Sequence, residues 1–236
     1  MTTTLITGAN KGLGYETARR LLAEGHTVYL GARDAERGRK AAAELGAKLL
    51  VLDVTDDASV AAAAKTVEAE GGLDVLINNA GIEGRTADGG IIGAADVTGG
   101  DMRTLFDTNV FGPVRMLHAF LPLLRRSANP VVVNLSSGLA SLKGAAPGPD
   151  RPGFPYPGVA YPASKTAVNM VTIQFAKAFP DVRINAVEPG YTKTDLNANT
   201  GTQTVEEGAE VIVRAALLDQ DGPTGTYFDR NGQLPW

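Results

Sequence analysis

The 236-residue sequence predicts an α/β protein: a doubly wound, mostly parallel seven-stranded sheet with helices on both faces. Three observations carry this prediction. Short, nearly continuous apolar runs alternate with stretches of helical periodicity, the pattern of strands buried on both faces and joined by covering helices. A glycine-rich turn joins the first apolar run to the first helix. No internal repeat and no linker divides the chain, so residues 1–236 read as a single domain, long enough to bury a large core.

The elements follow in order. Residues 2–7 are rich in β-formers and predict the first strand, and residues 13–23 predict a helix closed by Gly25. A second strand is expected over 27–32 and a second helix over 34–45, with Asp34 as its N-cap. A third strand falls at 47–52, an alanine-rich helix with an acidic start at 56–69, and a fourth strand at 74–78. Residues 101–126 predict one long helix, bent near Gly112-Pro113. The fifth strand is expected at 130–135, a helix at 160–179, the sixth strand at 182–187, a last helix at 205–218 and a short last strand at 226–228. Three segments break the rhythm: 82–100, 138–158 and 191–204. The second holds a proline-rich insertion, residues 147–157. All three follow strands, and ligands of doubly wound sheets bind beyond the carboxyl ends of the strands, so these segments are expected to wall a substrate pocket.

Composition narrows the chemistry. The net charge is −4 with no long run of either sign, which argues against a nucleic-acid partner. No apolar run is long enough to span a membrane. The N-terminal residues lack a basic region followed by a cleavage site, so a cytoplasmic location is expected. The absence of cysteine removes disulfides, thiolate catalysis and cysteine-ligated zinc. The two histidines, His26 at the end of the first helix and His118 in an apolar helical stretch, read as structural. No metal site is expected, and proton transfer near neutral pH falls to another residue type.

Tyr161 and Lys165 supply a candidate. Four residues apart on a helix, they share one face, one turn apart. A phenol titrates near ~10, and a neighbouring ammonium lowers that value. A tyrosine tuned in this way can give or take a proton at a substrate oxygen.

The turn Thr7-Gly8-Ala9-Asn10-Lys11-Gly12-Leu13-Gly14 predicts a phosphate cradle of Rossmann type, although its spacing differs from Gly-x-Gly-x-x-Gly. Its glycines let the backbone approach a pyrophosphate, and the helix that follows offers amide donors. An acidic residue at the end of the second strand would hold a ribose 2′-hydroxyl. Arg33 stands there instead, with Lys11 as a second cation, and a guanidinium suits a 2′-phosphate. NADP(H) is therefore favoured over NAD(H).

With these motifs the sequence resembles the short-chain dehydrogenase/reductase family. The glycine turn, Asp53-Val54 after the third strand, Asn78-Asn79-Ala80-Gly81 after the fourth and Asn109 on the long helix all match its signatures in order. So do Ser137, Tyr161 with Lys165, and Pro189-Gly190. The resemblance implies a nicotinamide cofactor bound by Gly8, Asn10, Lys11, Gly12, Leu13 and Gly14, by Arg33, Asp53 and Val54, and by Asn79, Ala80 and Gly81. Pro189, Gly190, Thr192 and Thr194 should line its nicotinamide side. It implies hydride transfer between that cofactor and a carbonyl or alcohol carbon. Tyr161 then donates the proton and Lys165 lowers the tyrosine pKa and holds the ribose. Ser137 holds the substrate oxygen, and Asn109 bends its helix and holds a water that relays protons to Lys165.

Within the family the chain resembles the carbonyl reductases, through Asn10-Lys11-Gly12, Ala32-Arg33-Asp34, Gly72-Leu73-Asp74-Val75-Leu76 and Glu206-Glu207-Gly208-Ala209-Glu210. An insertion before Tyr161 strengthens that likeness but is shorter than in the animal carbonyl reductases, which leaves monomer and homodimer both open. Leu139, Phe154, Tyr156 and Tyr191 could present an apolar or aromatic surface. The activity implied is NADPH-dependent reduction of a small-molecule ketone, aldehyde or quinone to an alcohol. An NAD-dependent alcohol dehydrogenase of the same family is the alternative, or a sensor that binds NADP(H) without turnover and has no need of the proton-transfer residues.

Overall fold

A computed structural model of the protein describes residues 1–147 and 153–236. The chain runs β1 (Thr3–Ile6), α1 (Gly12–Ala23), β2 (Thr27–Ala32), α2 (Ala35–Leu45), β3 (Lys48–Val51), α3 (Asp57–Ala69) and β4 (Val75–Asn78). It continues through α4 (Gly99–Phe106), a π-helical turn (Asp107–Phe111), α5 (Gly112–Leu124), β5 (Val131–Leu135) and the short α6 (Leu142–Ala145). It ends with α7 (Ala160–Ala178), β6 (Arg183–Val187), α8 (Val205–Ala216), β7 (Tyr227–Asp229) and β8 (Gly232–Gln233). The expected Pro149 and Pro152 of the insertion lie outside the described residues.

The sheet order is β3-β2-β1-β4-β5-β6-β7-β8, and every pairing is parallel except β7 with β8. The order reverses between β1 and β4, which opens a crevice at their carboxyl ends. Side-chain alternation divides the core in two. Leu5, Leu76, Val132 and Ile184 lie in register and pack under α3, α5 and α7. Ile6, Ile77 and Val133, one residue along, face the other way and pack under α1, α2 and α8. Each such side chain, buried, contributes about 1.5–3 kcal/mol, so a shift of one residue in register would be strongly opposed.

Two expectations are corrected. The sheet has eight strands, not seven. Asp229 Oδ1 accepts the Asn231 and Gly232 amides at 2.7 and 3.0 Å, turning the chain back so that β8 pairs antiparallel with β7. The long helix is interrupted not at Gly112-Pro113 itself but in the turn just before it, Asp107–Phe111, which holds Asn109. It starts earlier, at Gly99, behind a capping box between Thr98 and Asp101, and widens into the π turn, where the Gly112 amide bonds the Asp107 carbonyl five residues back. Pro113 falls in the first turn of α5, where a missing N–H is tolerated. Among the described residues, no helix is long and apolar enough to cross a membrane.

Candidate active site

The glycine turn is built by residues from two strands. Thr7 Oγ1 accepts the amides of Asn79 and Ala80 at 3.0 and 2.9 Å, tying the end of β4 to the end of β1. Asn79 Nδ2 donates back to the carbonyls of Thr7 and Gly8 at 2.7 and 3.1 Å. The approach is close enough that a Cβ on Gly14 would lie 2.5 Å from Asn79 Nδ2. Gly8 holds φ at +63°, and a Cβ there would meet Ala80 Cα at 3.0 Å. Asn79 and Ala80 thus shape the turn.

Helix α1 opens on Lys11 with no side-chain cap, whereas Asp34, Asp56, Thr98 and Thr204 cap α2, α3, α4 and α8. Its first amides are therefore available to an anion, and the turn fits a pyrophosphate. Asn10 sits within the turn, while Leu13 packs toward the core on the α1 side. Lys11 Nζ pairs with Asp195 at 2.7 Å, and Thr194 packs over Gly12, so the segment after β6 reaches across to the turn. Arg33 is exposed just beyond β2. Asp53, beyond β3, accepts from the Thr55 amide and hydroxyl at 2.9 and 2.7 Å; these bonds, with the nearby Arg33 charge, hold its carboxyl below the usual range. Val54 is buried and fills the space that the missing Gly112 side chain leaves.

Helix α7 brings Tyr161, Ser164 and Lys165 to the end of β5. The two serines of the Ser136-Ser137 pair separate here. Ser136 is buried and donates to Asn169 Oδ1 at 2.6 Å, while the Ser137 hydroxyl accepts from the Leu139 amide at 3.3 Å and faces the Tyr161 phenol. The Ser137 carbonyl accepts from Tyr227 Oη at 2.6 Å, which fixes the backbone beneath it. Asn109 lies in the π turn. Its carboxamide accepts the Ile82 amide at 2.9 Å and donates to the Ile82 carbonyl at 2.9 Å and to Ser164 Oγ at 3.0 Å. Gly81 sits against both Asn109 Oδ1 and Lys165 Nζ.

The expected electrostatics differ in one respect. Burial raises the Tyr161 pKa; Glu83 and Glu188 add to the rise, and the Ser137 hydrogen bond opposes it. Lys165 does not produce the expected lowering. Its Nζ lies 5.7 Å from the Tyr161 ring centre and donates to the Leu135 carbonyl at 2.8 Å. Burial also disfavours the ammonium itself, pushing its pKa down to about 8.

On the nicotinamide side of the expected site, Gly190 turns at φ +84°, and its amide donates to Glu188 Oε1 at 3.0 Å. Pro189 O accepts from Gln203 Nε2, which also reaches Thr192 Oγ1 at 2.9 Å. Thr192 is buried and Thr194 begins a short capped turn, so this segment is internally braced. The expected aromatic wall is divided: Phe154 and Tyr191 are exposed, while Tyr156 turns in toward Tyr161. Sequence reasoning overlooked Glu83, Glu188 and the buried ladder in which Asn78 donates to Asn134 at 2.8 Å and Asn134 to Thr172 at 2.9 Å. A polar residue within an otherwise apolar strand, as at Asn134, was the available signal.

Comparison with known proteins shows the family. The sequence matches the short chain dehydrogenase family model over residues 2–205. It is 32% identical to (+)-neomenthol dehydrogenase of Capsicum annuum over 297 aligned positions, covering 96% of this chain and 95% of that one. It is 34% identical to (-)-isopiperitenone reductase of Mentha piperita, covering 98% and 96% of the two chains. The structure superposes on that of salutaridine reductase from Papaver somniferum with a TM-score of 0.84 at 29% identity, covering 98% of this chain and all of the other. The chain therefore belongs to the short-chain dehydrogenase/reductase family.

Proposed function

We propose that the protein is an NADPH-dependent reductase of a hydrophobic ketone, aldehyde or quinone, with Tyr161 as the proton donor. The observation that carries this reading is the convergence of Tyr161, Ser137, Lys165 and Asn109 at the carboxyl end of β5, beside the glycine turn. The relatives named above, two of them reductases and one a dehydrogenase, support the same class of reaction. The glycine turn and the ends of β1, β4 and β6 would hold NADPH, which would supply the hydride.

The chain's own residues supply position and protons. Ser137 holds the carbonyl oxygen by a hydrogen bond and aligns the carbon for attack. Tyr161 gives its proton to that oxygen as charge develops there. Burial and the carboxylates keep the phenol protonated through the neutral range, as a donor requires. Lys165 lies one turn along α7, where its ammonium can stabilise the phenolate left behind. The exposure of Arg33 just beyond β2, with no hydrogen bond to its side chain among the described residues, supports its reading as the 2′-phosphate partner.

In the test, Tyr161→Phe keeps NADPH binding, followed by cofactor fluorescence, and loses ketone reduction by at least about 100-fold. Turnover at the wild-type rate would remove Tyr161 as the acid. Arg33→Asp is expected to weaken NADPH by about tenfold or more and to leave NADH within about threefold. An unchanged preference in side-by-side titrations would assign the 2′-phosphate to other residues.

A further inference from the structure

The three irregular segments around Tyr161 are joined by one chain of polar contacts. Tyr156 Oη donates to Glu83 Oε1 at 2.7 Å. The other oxygen, Oε2, pairs with the Arg85 guanidinium at 2.5 Å. Arg85 also donates to the carbonyls of Gly89 at 2.7 Å and Leu196 at 3.1 Å. Residues before Tyr161, after β4 and after β6 are thereby held together. A single β-bridge between Gly93 and Gly158 sets two of these segments edge to edge.

The contacts have a geometric consequence at the reacting residue. The Tyr156 ring lies 6.4 Å from the Tyr161 ring, centre to centre. Beside the pair is a cavity of only about 10 Å³, walled by Ile91, Ile92, Val97 and Leu105 as well as the two tyrosines. Asp101 also lines this cavity, but its carboxylate is engaged by Thr98, and the Tyr156 hydroxyl bonds Glu83 instead, so the polar latch determines where the Tyr156 ring stands. The Glu83 side chain is only 8% exposed and has both oxygens occupied. A buried carboxylate earns little stability, but when fully paired it restricts its neighbours to one arrangement.

We propose that Glu83 is a positioning residue that sets specificity: with Arg85 it latches Tyr156 across the apolar chamber beside Tyr161, and the ring limits the size of the hydrophobic substrate group admitted. The inference rests on the reductase reading above.

The test uses the full-length protein with NADPH and two ketones, cyclohexanone and the two-ring 1-tetralone. It compares Tyr156→Phe, Glu83→Gln and Tyr156→Ala with the wild type. Tyr156→Ala should raise the tetralone-to-cyclohexanone ratio of kcat/KM by about tenfold or more, the scale of a specificity change at an apolar wall. Tyr156→Phe and Glu83→Gln should both raise KM for cyclohexanone by about fivefold, with kcat within about twofold in Tyr156→Phe, the signature of lost positioning. Amide hydrogen exchange over residues 153–160 should quicken in both, a readout that needs no turnover. Unchanged exchange together with an unchanged size ratio overturns the latch, even in an active enzyme. A fall in kcat with KM unchanged overturns it too, because Glu83 would then act on proton transfer. A wild type that reduces neither ketone, with quickened exchange in the variants, upholds the latch and removes the reductase reading instead.

Discussion

Tyr161 and Lys165 share one helix face, yet their environments drive both toward their neutral forms. Burial raises the phenol and lowers the ammonium, and the lysine is bonded to Leu135 O instead of the phenol oxygen. The lysine shift has a consequence for stability. Its folded pKa, about 8, is below the unfolded value, so the unfolded chain binds more protons between about 8 and the ordinary value near ~10.4. Below that window the folded protein carries a buried charge at a cost; above it, neither state is charged. The wild type should therefore gain stability relative to Lys165→Met as pH rises from about 8 toward 10, by on the order of 1–3 kcal/mol. Tyr161, Tyr156 and Tyr227, whose raised values act in the opposite sense from about 10 upward, are common to both proteins and cancel in the comparison. Urea unfolding at both ends of the window checks this, and parallel curves for the two proteins would exclude the shift.

The π turn between α4 and α5 shows how one residue can hold an element and serve a site. Asn109 satisfies both the amide and the carbonyl of Ile82 and reaches Ser164 on α7. It joins the segment after β4 to two helices and widens the turn to do so. Its role in holding a relay water is expected from resemblance, whereas its side chain is engaged in structure. Asn109→Ala is accordingly expected to lose about 2–4 kcal/mol, because buried backbone groups lose their partners, as well as turnover. Thermal unfolding beside kinetics separates the two effects. A variant with unchanged Tm and no turnover would confine Asn109 to the proton path.

At the scale of the molecule, the site sits at the carboxyl ends of strands anchored by two separate apolar layers. Phe120 lies at the centre of the layer under α3, α5 and α7 and is fully buried. Phe120→Ala should cost about 3–5 kcal/mol by leaving a cavity there. The glycine turn rests on β1, β4 and α1, away from that cavity, so NADPH affinity in the folded fraction should stay within about threefold. Urea unfolding and a cofactor titration test the pair of statements, and a tenfold weaker Kd would show that the layer is coupled to the turn.

Much of this was legible in the sequence because it depends on neighbours along the chain. Strand and helix periods of two and 3.6 residues placed β1 to β7 and the major helices within a residue or two of their ends. The same local logic picked out the uncapped glycine turn and the shared face of Tyr161 and Lys165. Tertiary structure decided what depends on residues far apart. It turned Ser136 toward Asn169 and Ser137 toward Tyr161, made the turn at Asn109 π-helical, and added β8. It reversed the expected direction of the Tyr161 pKa, because burial and two carboxylates outweigh a lysine that bonds elsewhere. Glu83 and Tyr156, 73 residues apart, become partners only when two loops close over the same strand ends. Periodicity is a property of a short segment, while burial, electric field and long-range hydrogen bonding belong to the assembled fold.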